Sequence, residues 1–130
     1  MGHFVLVYLA ALIAVLAPDA VWLTLAAPPL YRPALGDLLT ESFAVAPAVL
    51  FYLVYPLGLV VLTPDGTLGG AAWRGALYGL CAYGTYDLTN QATLRRWPTY
   101  LTLADLTWGT LLSAFAAVVA ALAMQKLDGR

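Results

Sequence analysis

The chain has 130 residues, 62% of them hydrophobic and only 10% charged, with a formal net charge of -1 and a mean hydropathy of +0.82. Soluble domains carry charge on about a quarter of their residues, so this composition describes an integral membrane protein. There is room for four spans of about 20 residues and none for a separate soluble domain, so residues 1–130 are read as one membrane domain. Without a basic excess, nucleic acid is excluded as a partner.

The first segment, "MGHFVLVYLAALIAVLAPDA", has an apolar core followed by small residues, as a signal peptide would. No Lys or Arg precedes that core, and the apolar run continues past Pro18 and Asp19 through "VWLTLAA". Residues 4–26 are therefore expected to form a retained first span, with His3 facing solvent. The connection "APPLYRPALGDLLTES" holds three prolines, followed by a Leu35, Leu38, Leu39 spacing that fits a short amphipathic turn on the membrane surface. Glu41 is expected at that surface, just before a second span over 43–63. "TPDGTLGG" is a tight turn that makes the second span and a third, 69–89, antiparallel neighbours. "NQATLRRWP" then leads into a fourth span, 99–125, with Pro98 suited to its first turn. Each stretch can cross a hydrocarbon core of about 30 Å, is twice the length of a barrel strand and lacks its alternation. The expected fold is all-α, a four-helix transmembrane bundle with up-down topology and short loops.

Lysines and arginines of the loops do not orient the bundle. Arg74, Lys126 and Arg130 fall on the side of the termini and Arg32, Arg95 and Arg96 on the other, three against three. Such a balance is compatible with a homodimer of oppositely inserted copies. Cys81, the single cysteine, cannot close an internal disulfide and is expected to be a small buried hydrophobe. Gly75 and Gly79 form a Gly-x-x-x-Gly pattern, with Gly84 beyond, that allows close helix contact.

Three carboxylates lie inside the apolar windows: Asp19, Asp87 and Asp105. Each costs about 2.5 to 3.5 kcal/mol at the centre of a span, and less away from it. Up-down topology puts all three on one side of the membrane, each roughly 10 Å below a helix end at about 1.5 Å per residue. Tyr83, Asp87 and Asn90 share one helix face, as do Asp105 and Trp108, and Asp19 and Trp22. "DAVWLT" and "DLTWGT" repeat an Asp-x-x-Trp pattern, with "DLTNQAT" as a relative, although six residues are too few to establish a duplication. The second span brings no carboxylate, but its Tyr52, Tyr55 and Pro56 supply hydroxyls and a kink that opens backbone groups toward the interior.

Tryptophans and tyrosines also gather at membrane interfaces, and that role is expected of Trp73, Trp97 and Tyr100. Acids can likewise lock helices together by pairing with Arg32, Arg95 or Arg96. Three acids converging at one level, however, repel one another. They require protons, a bound cation, those arginines, or a cationic ligand seated among aromatic faces. The candidate ligand- or proton-binding set is Asp19, Asp87, Asp105, Asn90, Trp22, Trp108, Tyr83 and Tyr55. No span contains a histidine, and zinc-protease, phosphate-loop and serine-hydrolase motifs are absent. No metal site or cofactor is predicted, though a divalent cation between carboxylates stays open.

From "APDAVWLTL" through "LYRPALGDLL", "AVLFYLVYPLGLVVL", "GALYGLCAYGTYDLTNQATLRRWP" and "TLADLTWGTLLS", nearly the whole chain resembles the bacterial membrane proteins grouped as domain of unknown function 2177. The run from Tyr86 to Asn90, Ala92 to Leu94, Trp97-Pro98 and Asp105-x-x-Trp108-Gly109-Thr110 carry the resemblance most specifically. It implies four spans in a bacterial inner membrane and no particular activity. Pro18 beside Asp19 departs from the pattern and is expected to bend the first helix.

Three functions fit these residues. One is a small transporter or permease in which the acids take protons or a cation while Trp22, Trp108, Tyr83 and Asn90 shape a pocket for a small molecule. Another is a membrane enzyme, or an accessory subunit of one, acting on a membrane lipid near the headgroup level. The third is a scaffold subunit whose acids pair with Arg95 and Arg96.

Overall fold

A computed structural model describes residues 2–40, 42 and 44–129, and these are entirely helix and turn. Glu41 and Phe43, the expected surface acid and the first residue of the second span, lie outside the described residues. The chain runs as α1 (Gly2–Val21), a π-helical turn (Trp22–Ala26), α2 (Ala27–Leu35), a short 3-10 turn (Gly36–Leu38), α3 (Val45–Leu62), α4 (Leu68–Thr93) and α5 (Thr99–Leu127). The four-helix bundle is the fold expected of the sequence.

Buried positions recur at helical spacing on inner faces of otherwise apolar helices: Val7, Ala11, Ala14, Val15 and Asp19 on α1, and Leu101, Asp105, Gly109, Leu112, Ala116 and Ala120 on α5. Outward positions such as Ile13, Leu25, Val45 and Leu111 are large, apolar and exposed, as lipid-facing side chains are. The continuous helical run Gly2–Leu38, together with Val45–Leu62 and Thr99–Leu127, is long and apolar enough to cross a membrane. α4 is less apolar, but its 26 residues span about 39 Å. It lies against α5 from Gly75, beside Ala117, to Gln91, bonded to Thr99, so it crosses wherever α5 does.

The first connection differs from expectation. Helix does not stop at residue 26 but continues across Pro28, Pro29 and Pro33 to Leu35. Prolines at the start of a helix lose only N–H groups that the first turn leaves unused. The preceding carbonyls, deprived of their usual donors, widen into the π turn, where the Ala27 N–H bonds to the Trp22 carbonyl five residues back. Leu35 is consequently buried against Trp97 and Leu101, while Leu38 and Leu39 are exposed. Pro18 lies within α1 and Pro56 within α3. In the turn before Pro56, two carbonyls receive extra donors: Tyr8 on Leu53 (2.7 Å) and Tyr78 on Tyr55 (3.0 Å).

Two smaller expectations are also corrected. Cys81 is exposed, because α4 turns Gly75 and Gly79 toward α5, and two residues beyond Gly79 the helix faces outward. Trp97 is buried rather than interfacial, held edge-on to Tyr86 at 5.6 Å and donating to Thr102 at 2.9 Å. Trp73 and Tyr100 are exposed, as membrane-interface aromatics are. His3, also exposed, has its Nδ1 3.4 Å from the Asp128 carboxylate. In the α3–α4 turn, the Thr67 N–H and hydroxyl hold the Asp65 carboxyl below its ordinary range, and Thr67 caps α4 by accepting from the Gly70 N–H at 2.9 Å.

Close approach of α4 to α5 depends on glycine. A methyl at Gly79 would collide with the Gly109 carbonyl and with Ser113, and one at Gly75 with the Ser113 carbonyl and Ala117. Backbone atoms cannot rotate aside, so Gly79→Ala is expected to destabilise the fold by about 1 to 3 kcal/mol. Gly69→Ala, where a methyl meets open space, leaves stability unchanged or raises it. Thermal unfolding midpoints in detergent provide the comparison.

Candidate functional site

Asp19, Asp87 and Asp105 each occupy the inner stripe of their helix, and all three are buried. They form two linked groups rather than one ring. Asp19 accepts the Tyr52 hydroxyl on Oδ2 and the Trp108 indole N–H on Oδ1, the latter at 2.9 Å. Asp105 accepts the Tyr31 hydroxyl on Oδ1. Side chains on a helix lean toward its N-terminus, so Tyr31 reaches back from α2 toward the bilayer to meet Asp105. Trp22 stacks on Trp108 with centroids 4.8 Å apart and planes 6° from parallel, and it lies beside the Tyr31 phenol. The two Asp-x-x-Trp segments thus meet face to face.

Asp87 is the outlier. It is completely buried, and neither of its oxygens has a hydrogen-bond partner. The Asp105 carboxyl lies beside it. Ionised carboxylates only accept, so this contact becomes a hydrogen bond only when one of the two carries a proton.

Among the described residues, no basic side chain forms an ion pair with these acids. Arg96 pairs with Asp37, and Arg74 with Asp65 at 3.4 Å. No ion pair among the described residues involves Asp19, Asp87 or Asp105, which removes the premise of the scaffold reading. Among the described residues, no group of three or more His, Cys, Asp or Glu side chains is placed to hold a metal ion.

The remaining candidates divide. Tyr83 packs its ring over Gly109, within electrostatic reach of Asp19 and Asp105, and meets Tyr55 edge-on at 6.0 Å. Tyr55 itself shares a buried hydrogen bond with Ser113 rather than with an acid, and lies within electrostatic reach of Asp19. Asn90 is half-buried, and its amide takes part in none of these hydrogen bonds. Tyr31 and Tyr52 are the residues that sequence reasoning left out of the candidate set. Tyr31 was hidden in a proline-rich stretch that read as a loop. Tyr52 offered a signal, a tyrosine on a span without acids, but nothing in its own helix indicated Asp19 as its partner. A further polar cluster, in which Thr102 donates to Gln91 at 2.7 Å and Gln91 to Thr99 at 3.0 Å, ties the ends of α4 and α5 together.

Trp108→Phe removes one of the two donors to Asp19 and is expected to cost about 0.6 to 1.7 kcal/mol, the range for hydrogen bonds between membrane helices. Asn90→Ala is expected to change stability by less than about 0.5 kcal/mol. Unfolding in mixed micelles compares the two, and equal losses would contradict this division of the candidates.

The model of the family domain of unknown function 2177, described as a predicted membrane protein, matches residues 4–122. No curated protein and no solved structure matches the chain.

Proposed function

The chain belongs to that family of multi-pass membrane proteins, and from its buried acids we propose that it is a small proton-coupled carrier whose Asp87–Asp105 pair binds the coupling proton. The unpartnered Asp87, buried beside a second carboxyl with no basic side chain paired to either, carries this reading. Two unit charges at about 4 Å repel by about 4 kcal/mol at an effective dielectric constant of 20. One proton shared by the pair removes that repulsion and supplies the donor that both acids lack.

Coupling to a conformational change follows from the partners. Asp105 holds Tyr31, and Tyr31 sits on α2, joined to α1 only by the π turn. π-helical turns are locally under-bonded and frequent at functional sites. With the proton bound, Asp87 and Asp105 close on each other and Tyr31 stays docked. With it released, the two charges separate and α2 shifts at the π turn. The ionisable groups around the pair are Tyr31 from α2, Tyr83 and Tyr86 from α4, and Asp19 from α1. Asp19, held by Tyr52 and Trp108, is the natural contact for a cationic or hydrogen-bond-donating cargo.

On a solid-supported membrane carrying reconstituted protein, a pH jump is expected to give a transient charge displacement without any added cargo. Asp87→Asn abolishes it, and Asn90→Ala preserves it. A displacement unchanged in Asp87→Asn overturns the assignment.

A further inference from the structure

Among the described residues, the two halves of the polar seam share no hydrogen bond. Asp19 is held by Tyr52 and Trp108, Asp105 by Tyr31, and the Trp22–Trp108 stack joins the halves only ring to ring. Of the eight tyrosines, five engage their hydroxyls in hydrogen bonds. Tyr86 and Tyr100 do not, but they are exposed. That leaves Tyr83, half-buried inside the bundle, with a hydroxyl that takes part in no hydrogen bond among the described residues.

Helix geometry sets this side chain between the two acid groups. Tyr83 precedes Asp87 by one turn on the same face of α4. Its ring covers Gly109, which lies one turn beyond Asp105 on α5 and next in sequence to Trp108, a donor to Asp19. The Cγ end of the ring is seated on Gly109, and Tyr55 meets it edge-on at 6.0 Å, so the hydroxyl end is the part left to turn. Around that hydroxyl lie Asp19 from α1, Tyr52 and Tyr55 from α3, and Asp105 from α5. Tyr31 and Tyr86 sense Asp87 and Asp105, and Tyr52 and Tyr55 sense Asp19, whereas Tyr83 senses an acid from each half.

We propose that Tyr83 is the switch that relays the state of the Asp87–Asp105 pair to Asp19, its hydroxyl donating to one half of the seam or to the other. The switch rests on the proton reading of that pair. With the pair unprotonated, its two charges draw the hydroxyl to Asp105. With a proton bound, Asp87 and Asp105 satisfy each other, and the hydroxyl turns to Asp19. Each oxygen of Asp19 accepts one hydrogen bond, which leaves lone-pair capacity for a third donor. Tyr83 is thus a positioning residue: it takes no proton itself, and it makes the two halves of the seam respond together.

Infrared difference spectra of the reconstituted full chain, recorded across the titration of the pair, test it. Beside the carboxylic-acid band of the pair, the unaltered protein is expected to show a tyrosine C–O band and a change in the Asp19 carboxyl band, the latter identified by its loss in Asp19→Asn. Tyr83→Phe, which keeps the ring over Gly109, removes the tyrosine band and the Asp19 change and leaves the acid band. Tyr86→Phe, beside the same pair, leaves all three. An Asp19 change that persists in Tyr83→Phe, or that Tyr86→Phe also removes, overturns the switch while the proton pair stands. Loss of the acid band in Tyr83→Phe overturns it as well, because Tyr83 then supports the pair instead of relaying its state. Absence of the acid band from the unaltered chain removes the pair itself, and the switch with it.

Discussion

A carboxyl group enclosed in a helix bundle without a donor is the constraint on which the rest of this structure depends. Leaving a polar group buried and unbonded costs several kcal/mol, and Asp87 faces this in the company of a second acid. Among the described residues no arginine pairs with it, and Arg96 and Arg74 are engaged with Asp37 and Asp65. Around that point the bundle supplies neutral donors instead: Tyr31 on Asp105, and Tyr52 with Trp108 on Asp19. These partners come from α2, α3 and α5, so every helical segment contributes a donor or an acid to one polar seam.

Such a seam survives in lipid because the helices carrying it fit tightly. Gly75 and Gly79 bring α4 against the backbone of α5, and Gly109 makes room for the Tyr83 ring. Packing there contrasts with the first half of α3, which has no buried residue and meets α1 through the Tyr8–Leu53 and Tyr52–Asp19 hydrogen bonds, and with the π turn after α1. The rigid α4–α5 pair holds two of the acids, Asp87 and Asp105, in contact. α2 and α3 hold the tyrosines bonded to Asp105 and Asp19. On the proton-carrier reading, this division separates the pair that would take the proton from the segments that would move with it.

Much of the arrangement was legible in the sequence. Hydropathy and short turns specify a four-helix bundle, and up-down order alone puts Asp19, Asp87 and Asp105 on one side of it. The Asp-x-x-Trp echo anticipated two like faces, and these meet through the Trp22–Trp108 stack. What the sequence hid has physical causes. Prolines at residues 28, 29 and 33 read as a loop, yet after a π turn they extend the helix and deliver Tyr31 to Asp105. Trp97 and Cys81 were placed by composition, whereas their burial is decided by which face of the chain meets α5. Pairings between helices, such as Tyr52 with Asp19, leave no trace in the periodicity of either helix.

On the proton-carrier reading, Asp87 and Asp105 share a proton. Infrared difference spectroscopy of the reconstituted protein at neutral pH, with and without Asp105→Asn, tests it most directly, because a protonated carboxyl has a carbonyl band that a carboxylate lacks. A shared proton gives one buried carboxylic-acid band that resists rapid hydrogen exchange and shifts or disappears in the variant. A spectrum showing only ionised carboxylates, identical with and without the substitution, would contradict it.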